Sequence, residues 1–206
     1  MHPARLALAF LLCAASTLAR AGGGPLGIDR RLTYDNDGLV SRKMQFALEG
    51  AAAFALAGGA LWEGGESRLG RTFWQSIDAS AGGALAAGAM KVAFSRSRPV
   101  QSSDPNLWFQ GSGHYSFPSG EVTFMAAAVT PFVLEYGREH PAAYALELLP
   151  AFDALARMKV GGHWQTDVLA GFALGTAAGY LAHEHDSPVI LNALPGGFSV
   201  GMKGRF

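Results

Sequence analysis

Three short stretches of this 206-residue chain carry polar residues inside otherwise apolar surroundings. The first is KVAFSRSRP, residues 91–99. Lys91 and Arg98 stand seven apart, two turns of a helix, so a helix continued to Arg98 would place both cations on one face. Two cations on a small-residue helix suit an anion, though cations near a helix C-terminus also simply favour its dipole. The second stretch is FPSGEVT, residues 117–123. It reads as a helix start, with Ser119 as cap and Gly120 leaving the backbone open. The free N–H groups of such a start attract phosphate-like anions. The third is ARMKVGGHWQTD, residues 156–167. Arg157 adds a cation. His163 and Asp167 are four apart, so on a helix they share a face and can hydrogen-bond. An aspartate holding one imidazole nitrogen leaves the other free as nucleophile or base. Read singly, each stretch also has an ordinary structural explanation.

Read in order, they are more specific: Lys-x6-Arg-Pro, Pro-Ser-Gly, then Arg-x5-His-x3-Asp. Eighteen residues separate Pro99 from Pro118, and thirty-five separate Glu121 from Arg157. The pattern resembles the three-part signature of the phosphatidic acid phosphatase type 2 superfamily. That superfamily includes bacterial class A acid phosphatases, lipid phosphate phosphatases and vanadium haloperoxidases. The resemblance spans roughly residues 70–185. It implies an all-α bundle of about five to six helices, with His163 attacking phosphorus to form a phosphohistidine. Asp167 would orient His163. Lys91, Arg98 and Arg157 would hold the phosphoryl oxygens, with the Ser119 hydroxyl and the Gly120 N–H adding hydrogen bonds. Fixed cations and preorganised donors are what phosphoryl transfer needs. With three cations from the protein, no metal or cofactor is implied.

Two positions depart from the family pattern. Ala156 stands where a serine is usual. Glu121 stands where the family has the histidine that protonates the leaving oxygen. Three readings of Glu121 are open. It is itself the general acid, for which it must carry a proton at working pH. Another residue donates, with His114 in GSGHYSF the nearest candidate. Or protonation is impaired, and the protein handles good leaving groups or only binds phosphate.

Helices must position these residues. Apolar, alanine- and glycine-rich runs predict helices at about 42–62, 71–95, 119–136, 141–158 and 164–183. Pro131 and Pro150 are expected to bend the third and fourth. Residues 22–41, rich in glycine and aspartate, read as a lead-in. Residues 42–186 read as the helical domain, and 187–206, alternating around PGG, as a tail or small hairpin. Half the chain is apolar and 16% is charged. Such a balance fits a soluble or an integral membrane bundle. Charges such as Glu49, Asp78 and Lys91 interrupt the helices. Small-residue repeats permit close packing in both settings.

Residues 1–21 have the basic start, apolar run and Ala-Arg-Ala end of a secretory signal, which points to the periplasm. The alternative is an integral inner-membrane protein. Cleavage after Ala21 would remove Cys13, the sole cysteine, and leave a net charge near −2. That charge gives no reason to expect nucleic acid. The expected partner is a phosphorylated small molecule or a lipid phosphate, with membrane association compatible and oligomeric state open. The expected function is a metal-independent phosphatase acting on a phosphate monoester or a lipid (pyro)phosphate. The alternatives are a non-catalytic phosphate-binding or envelope protein on the same scaffold, and a vanadate-dependent haloperoxidase. Trp108, Phe109, Tyr115 and Phe117, between two motifs, either line a substrate entrance or pack over the bundle.

Overall fold

The computed structural model describes residues 22–184, 189–194 and 197–202. The expected signal, residues 1–21, lies outside them. Among the described residues there are five α-helices: α1 Arg42–Glu63, α2 Arg68–Phe94, α3 Gly120–Tyr136, α4 Leu148–Lys159 and α5 Gln165–Glu184. An antiparallel hairpin of β1 Val189–Leu194 and β2 Gly197–Met202 follows, pairing Val189 with Met202 and Leu194 with Gly197. The all-α bundle and the terminal hairpin are both as the sequence predicts.

Local chemistry explains the boundaries. Ser41 caps α1, accepting from the Met44 N–H at 3.4 Å, and Ser67 caps α2, accepting from Gly70 at 2.9 Å. Each hydroxyl satisfies one of the N–H groups a helix start leaves unpaired. α2 stops at Phe94, where Ser95 turns into the left-handed region. Arg98 is therefore off the helix, and the seven-residue spacing to Lys91 is not a helical face. Pro99 then keeps Arg98 itself out of helical geometry, since the residue before a proline avoids it. α3 runs unbroken through Pro131. The expected helix at 141–158 divides: Pro141–Glu147 is a 3-10 turn and α4 begins at Leu148. Pro150 is thus in the first turn of α4 and not at a kink. A proline there costs nothing, because that N–H has no partner in a helix.

α3 is the central helix, packed on α2, α4 and α5, while α1 lies on α2. Val122, Met125, Ala126 and Ala127 of α3 are fully buried. α5 meets α3 through Gly171, Gly175 and Gly179, one residue every turn. A Cβ at Gly171 would stand 2.5 Å from the Ser119 carbonyl oxygen, and one at Gly179 2.5 Å from Thr130 Cβ. At Gly175 it would overlap the Thr123 carbonyl more closely still. This stripe brings the start of α5 against the start of α3, and so brings the second and third motifs together. α1 is long and apolar enough to cross a membrane, and little of it is buried.

Gly175→Ala tests the stripe. Helix propensity alone would favour alanine by about 1 kcal/mol. Overpacking against the α3 backbone costs about 1–3 kcal/mol, so net destabilisation is expected. Thermal unfolding checks the sign, and a raised melting temperature would show that the helices part freely at this point.

Candidate active site

One buried guanidinium organises the motifs. Arg96, fully buried, donates through Nη1 to Asp167 Oδ1 at 2.5 Å and to Thr166 Oγ1 at 2.8 Å. Through Nη2 it donates to Asp29 Oδ2 at 2.6 Å. It also lies over the Trp108 ring, 4.3 Å from the centroid. Asp29 comes from the lead-in and accepts from the Thr166 N–H at 2.8 Å as well, which ties residues 22–41 to the start of α5.

The free oxygen of Asp167 does the next task. Oδ2 accepts from Ser116 Oγ at 2.5 Å and from the Trp164 N–H at 2.9 Å. Ser116 is then fixed, and its carbonyl oxygen lies 2.6 Å from His163 Nδ1. A carbonyl only accepts, so Nδ1 carries the proton and Nε2 carries the lone pair. The direct His163–Asp167 hydrogen bond expected from their spacing is not formed: Nδ1 and Oδ2 are 3.9 Å apart. His163 precedes α5 in a turn, so helical spacing does not apply to the pair. Asp167 acts on His163 through Ser116.

Glu121 is in contact with Nε2, and Lys91 and Arg157 are near enough to act on the imidazole charge. Ser119 is the N-cap residue of α3 but makes no capping bond, and its buried hydroxyl has no hydrogen-bond partner. That leaves it free for a ligand. Gly120 follows, and a Cβ there would touch Lys91 Cε at 3.4 Å, so the lysine lies along the helix start. Lys91 Nζ donates to the Tyr115 and Pro118 carbonyls at 3.0 and 2.6 Å. Arg98 reaches the same Tyr115 carbonyl at 3.3 Å, so loop 99–118, not a helix face, joins the two cations. Burial, with Arg98 and Arg157 nearby, brings the Lys91 ammonium down to about 8 against the pull of Glu121 and Asp167.

Glu121 completes the group. Its Oε2 is 3.4 Å from His163 Nε2, while Oε1 is 3.4 Å from Arg157 Nε and 3.1 Å from Arg42 Nη2. Burial pushes its carboxyl up. The His163 imidazole and the Arg157 guanidinium outweigh this and hold it well below the usual carboxylate range. Burial also lowers His163, to about 4, opposed by Glu121 and assisted by Lys91. At neutral pH the pair is therefore a carboxylate facing a neutral imidazole. Once the imidazole is neutral, the cations in contact with Glu121 are Arg157 and Arg42, with Lys91 close by.

His114 is placed otherwise: its Nδ1 pairs with Ser97 Oγ at 2.9 Å. Trp108 and Phe117 pack edge-on with Phe94, at 6.0 and 5.3 Å, while Phe109 is exposed. His183 pairs with Glu135 at 2.9 Å. Sequence reasoning missed four participants, Asp29, Arg42, Arg96 and Ser116. Arg96 had a signal, a third cation within the first motif; the others are joined to the site only by the fold.

Behind Glu121 lies a second polar group. Gln45, fully buried on α1, accepts from Arg42 Nη1 at 2.6 Å and donates to Glu49 at 3.0 Å. Asp153 of α4 is fully buried, and neither of its oxygens has a hydrogen-bond partner. Burial, then the neighbouring Glu49 and Glu121 carboxylates, raises Asp153 to about 8.

A family model described as the PAP2 superfamily matches residues 75–186. Among curated proteins, the lipid A 1-phosphatase of Porphyromonas gingivalis is 34% identical over 103 residues, 50% of this chain and 20% of that protein. The lipid A 1-phosphatase of Rhizobium johnstonii is 34% identical over 96 residues, 44% of this chain and 38% of that one. That of Rhizobium etli is 33% identical over 96 residues, 44% and 40% of the respective chains. The chain thus matches between a fifth and two fifths of the length of these relatives. Among solved structures, the crystal structure of Aquifex aeolicus LpxE aligns with a TM-score of 0.39 and 14% identity, covering 74% of this chain and 99% of that one.

Asp153 sets a pH-dependent stability. Its folded carboxyl keeps a proton up to about 8, against an ordinary aspartate value of 3.8. The folded state binds more protons across that window, so this contribution to stability falls as pH rises from about 4 to about 8, by at most about 1.4 kcal/mol per pH unit. Asp153→Asn removes the titration. Its stability relative to wild type should increase from pH 5 to pH 8 in chemical unfolding, and an equal difference at both pH values would contradict the assignment.

Proposed function

The chain belongs to the PAP2 superfamily, and from that premise we propose that it is a phosphatase that removes phosphate from a phosphorylated lipid through a phosphohistidine on His163. The observation that carries this reading is the buried His163. Its Nδ1 is committed to the Ser116 carbonyl and its Nε2 has no hydrogen-bond partner. The imidazole is neutral, oriented, and presents a lone pair among Lys91, Arg98 and Arg157. Such a lone pair is a nucleophile. Around it stand the groups a transferring phosphoryl requires: three cations for its oxygens, the unpartnered Ser119 hydroxyl, and the N–H groups that open α3.

In this reading the Arg157 guanidinium and the Lys91 ammonium take phosphoryl oxygens, and Arg98 closes the same side. Asp167 and Arg96 act through Ser116, holding the imidazole so that Nε2 and not Nδ1 attacks. Placement of this kind reduces the barrier by removing the need to orient groups during reaction. The relatives named as lipid A 1-phosphatases support a lipid substrate. So does the surface, where Phe54, Leu61 and Trp62 of the outer α1 face are exposed. Secretion into the periplasm, expected from residues 1–21, would bring the site to envelope lipids.

The test is hydrolysis of a short-chain lipid phosphate and of the matching lipid diphosphate by the purified chain, with alkaline quenching in detergent to trap phosphoenzyme. Wild type should release phosphate and give an acid-labile phosphohistidine. His163→Ala should give none, with kcat/KM down by about three orders of magnitude or more. Ser116→Gly keeps the orienting carbonyl but removes the hydroxyl that Asp167 holds, and a smaller loss in kcat is expected. Wild type that binds phosphate but turns over nothing at any pH would leave a binding protein on this scaffold.

A further inference from the structure

Arg42 belongs to no motif, yet its guanidinium is 3.1 Å from Glu121 Oε1. It is a supported contact. Arg42 Nη1 donates to Gln45 Oε1 at 2.6 Å, and Gln45 is held by Glu49 at 3.0 Å. Phe46 lies against the guanidinium face, 3.8 Å from ring centroid to Cζ. α1 thus carries a cation in contact with the carboxylate that stands where the resemblance puts the family's proton donor. When a phosphoryl group enters, it recruits Arg157, Lys91 and Arg98 to its own oxygens. Arg42 stays with Glu121, and so does the positive end of α3.

We propose that Arg42 keeps Glu121 an ionised carboxylate through the whole cycle, so that Glu121 serves only as a base: it activates water against the phosphohistidine and gives no proton to the leaving group. This rests on the phosphohistidine reading above and fixes the substrate more narrowly. The departing oxygen must leave as a stable anion, as from a phosphoanhydride, and not as an alkoxide.

The steps balance. In the first, the His163 Nε2 lone pair forms the N–P bond as the P–O bond breaks. The electron pair leaves on the departing oxygen, which needs no proton when the group is itself a phosphate with a second ionisation near about 6. In the second, a water oxygen attacks phosphorus on the side facing the carboxylate. The water proton passes to Glu121, the N–P electrons return to Nε2, and Glu121 then releases the proton to solvent. A carboxylate poised beside two guanidiniums accepts a proton that a water is losing in the transition state. It has none to supply to an alkoxide.

The groups facing Glu121 act in both directions. Arg42 on α1, Lys91 on α2, Arg157 on α4 and, when protonated, His163 favour the carboxylate. Glu49 on α1 and Asp153 on α4 oppose it, as does a bound phosphoryl. Asp153 is neutral at working pH, and Glu49 is itself raised by burial and by Glu121. Arg42 is the cation left in direct contact once the substrate holds Arg157.

The experiment compares dodecyl diphosphate with dodecyl phosphate, the same chain with two leaving groups, by rapid quench and steady state on the purified full chain. Wild type should form phosphohistidine from the diphosphate at least about 100-fold faster than from the monophosphate, the size of a missing general-acid contribution. Glu121→Gln should leave the diphosphate burst within about threefold of wild type while kcat falls about 100-fold or more, so that phosphoenzyme accumulates. Arg42→Gln frees Glu121 to take up a proton and should narrow the diphosphate preference about tenfold at pH 5–6, whereas Arg42→Lys keeps it. Similar wild-type burst rates with both substrates, or a burst in Glu121→Gln slowed as much as kcat, overturns the base-only role while leaving His163 as nucleophile. Turnover that persists in His163→Ala overturns the phosphohistidine reading and this proposal together.

Discussion

The buried contact between Arg96 and Asp167 is the constraint on which the site depends. Both side chains are fully buried, and a charge taken out of water is tolerated only with a partner and hydrogen bonds on every remaining valence. Arg96 meets that requirement by collecting carboxylates from the lead-in (Asp29) and from the start of α5 (Asp167). It also takes a carbonyl from loop 99–118 (Pro105). Asp167 meets it by taking the Ser116 hydroxyl and the Trp164 N–H. The result is a rigid connection from the end of α2 to the start of α5. His163 hangs from this connection by one hydrogen bond. Removing Arg96 would leave the Asp29 and Asp167 carboxylates buried without their cation, at a cost of about 3–5 kcal/mol, and would also loosen the hold on the imidazole.

The glycine stripe on α5 is the second half of the same constraint. Arg96 and Asp167 fix how α5 begins, and Gly171 and Gly175 fix how close it comes to α3. Because a Cβ at Gly171 would collide with the Ser119 carbonyl, the contact nearest the site is the one that sets where α3 starts. The Ser119 N–H donates to the Asp167 carbonyl at 2.9 Å, so the backbone of one motif holds the backbone of the other. That bond explains why Ser119 has its hydroxyl free. The helix start is positioned by main chain, and the side chain need not cap it.

Much of this was legible along the chain, and the parts that were not have a common cause. Helix stretches could be read from apolar runs and their punctuation, and the spacing of Lys91, Arg98, Ser119, Arg157, His163 and Asp167 pointed to phosphoryl chemistry. Reading failed where helical periodicity was extended past a helix end. Arg98 and His163 both lie in non-helical segments, so neither the Lys91–Arg98 face nor the His163–Asp167 bond exists as predicted, although both pairs share one site. Asp29, Arg42 and Ser116 could not be found by spacing at all. Asp29 meets Arg96 across 67 residues, and Arg42 meets Glu121 across 79. A glycine- and aspartate-rich lead-in and a basic residue at a helix start have many ordinary explanations. Only the fold separates them from the one that applies.

Arg42 and Glu121 form one electrostatic unit drawn from two helices, with the guanidinium 3.1 Å from Glu121 Oε1. A histidine at 121 would face Arg157 and a guanidinium from α1, and that field would keep it neutral and without the second proton it needs as an acid. A glutamate without Arg42 would stand at the mouth of a phosphate site with one cation fewer, repelled by the anion it must admit. Each residue is unfavourable without the other, and together they are neutral. The pair leaves the charge that receives the phosphoryl group close to that of three cations, while changing what the position can do with a proton. On the proposed reading, placing a histidine at 121 alone would therefore not make that position a proton donor. The guanidinium on α1 has to go with the carboxylate, because it sets the protonation state of whatever side chain stands there.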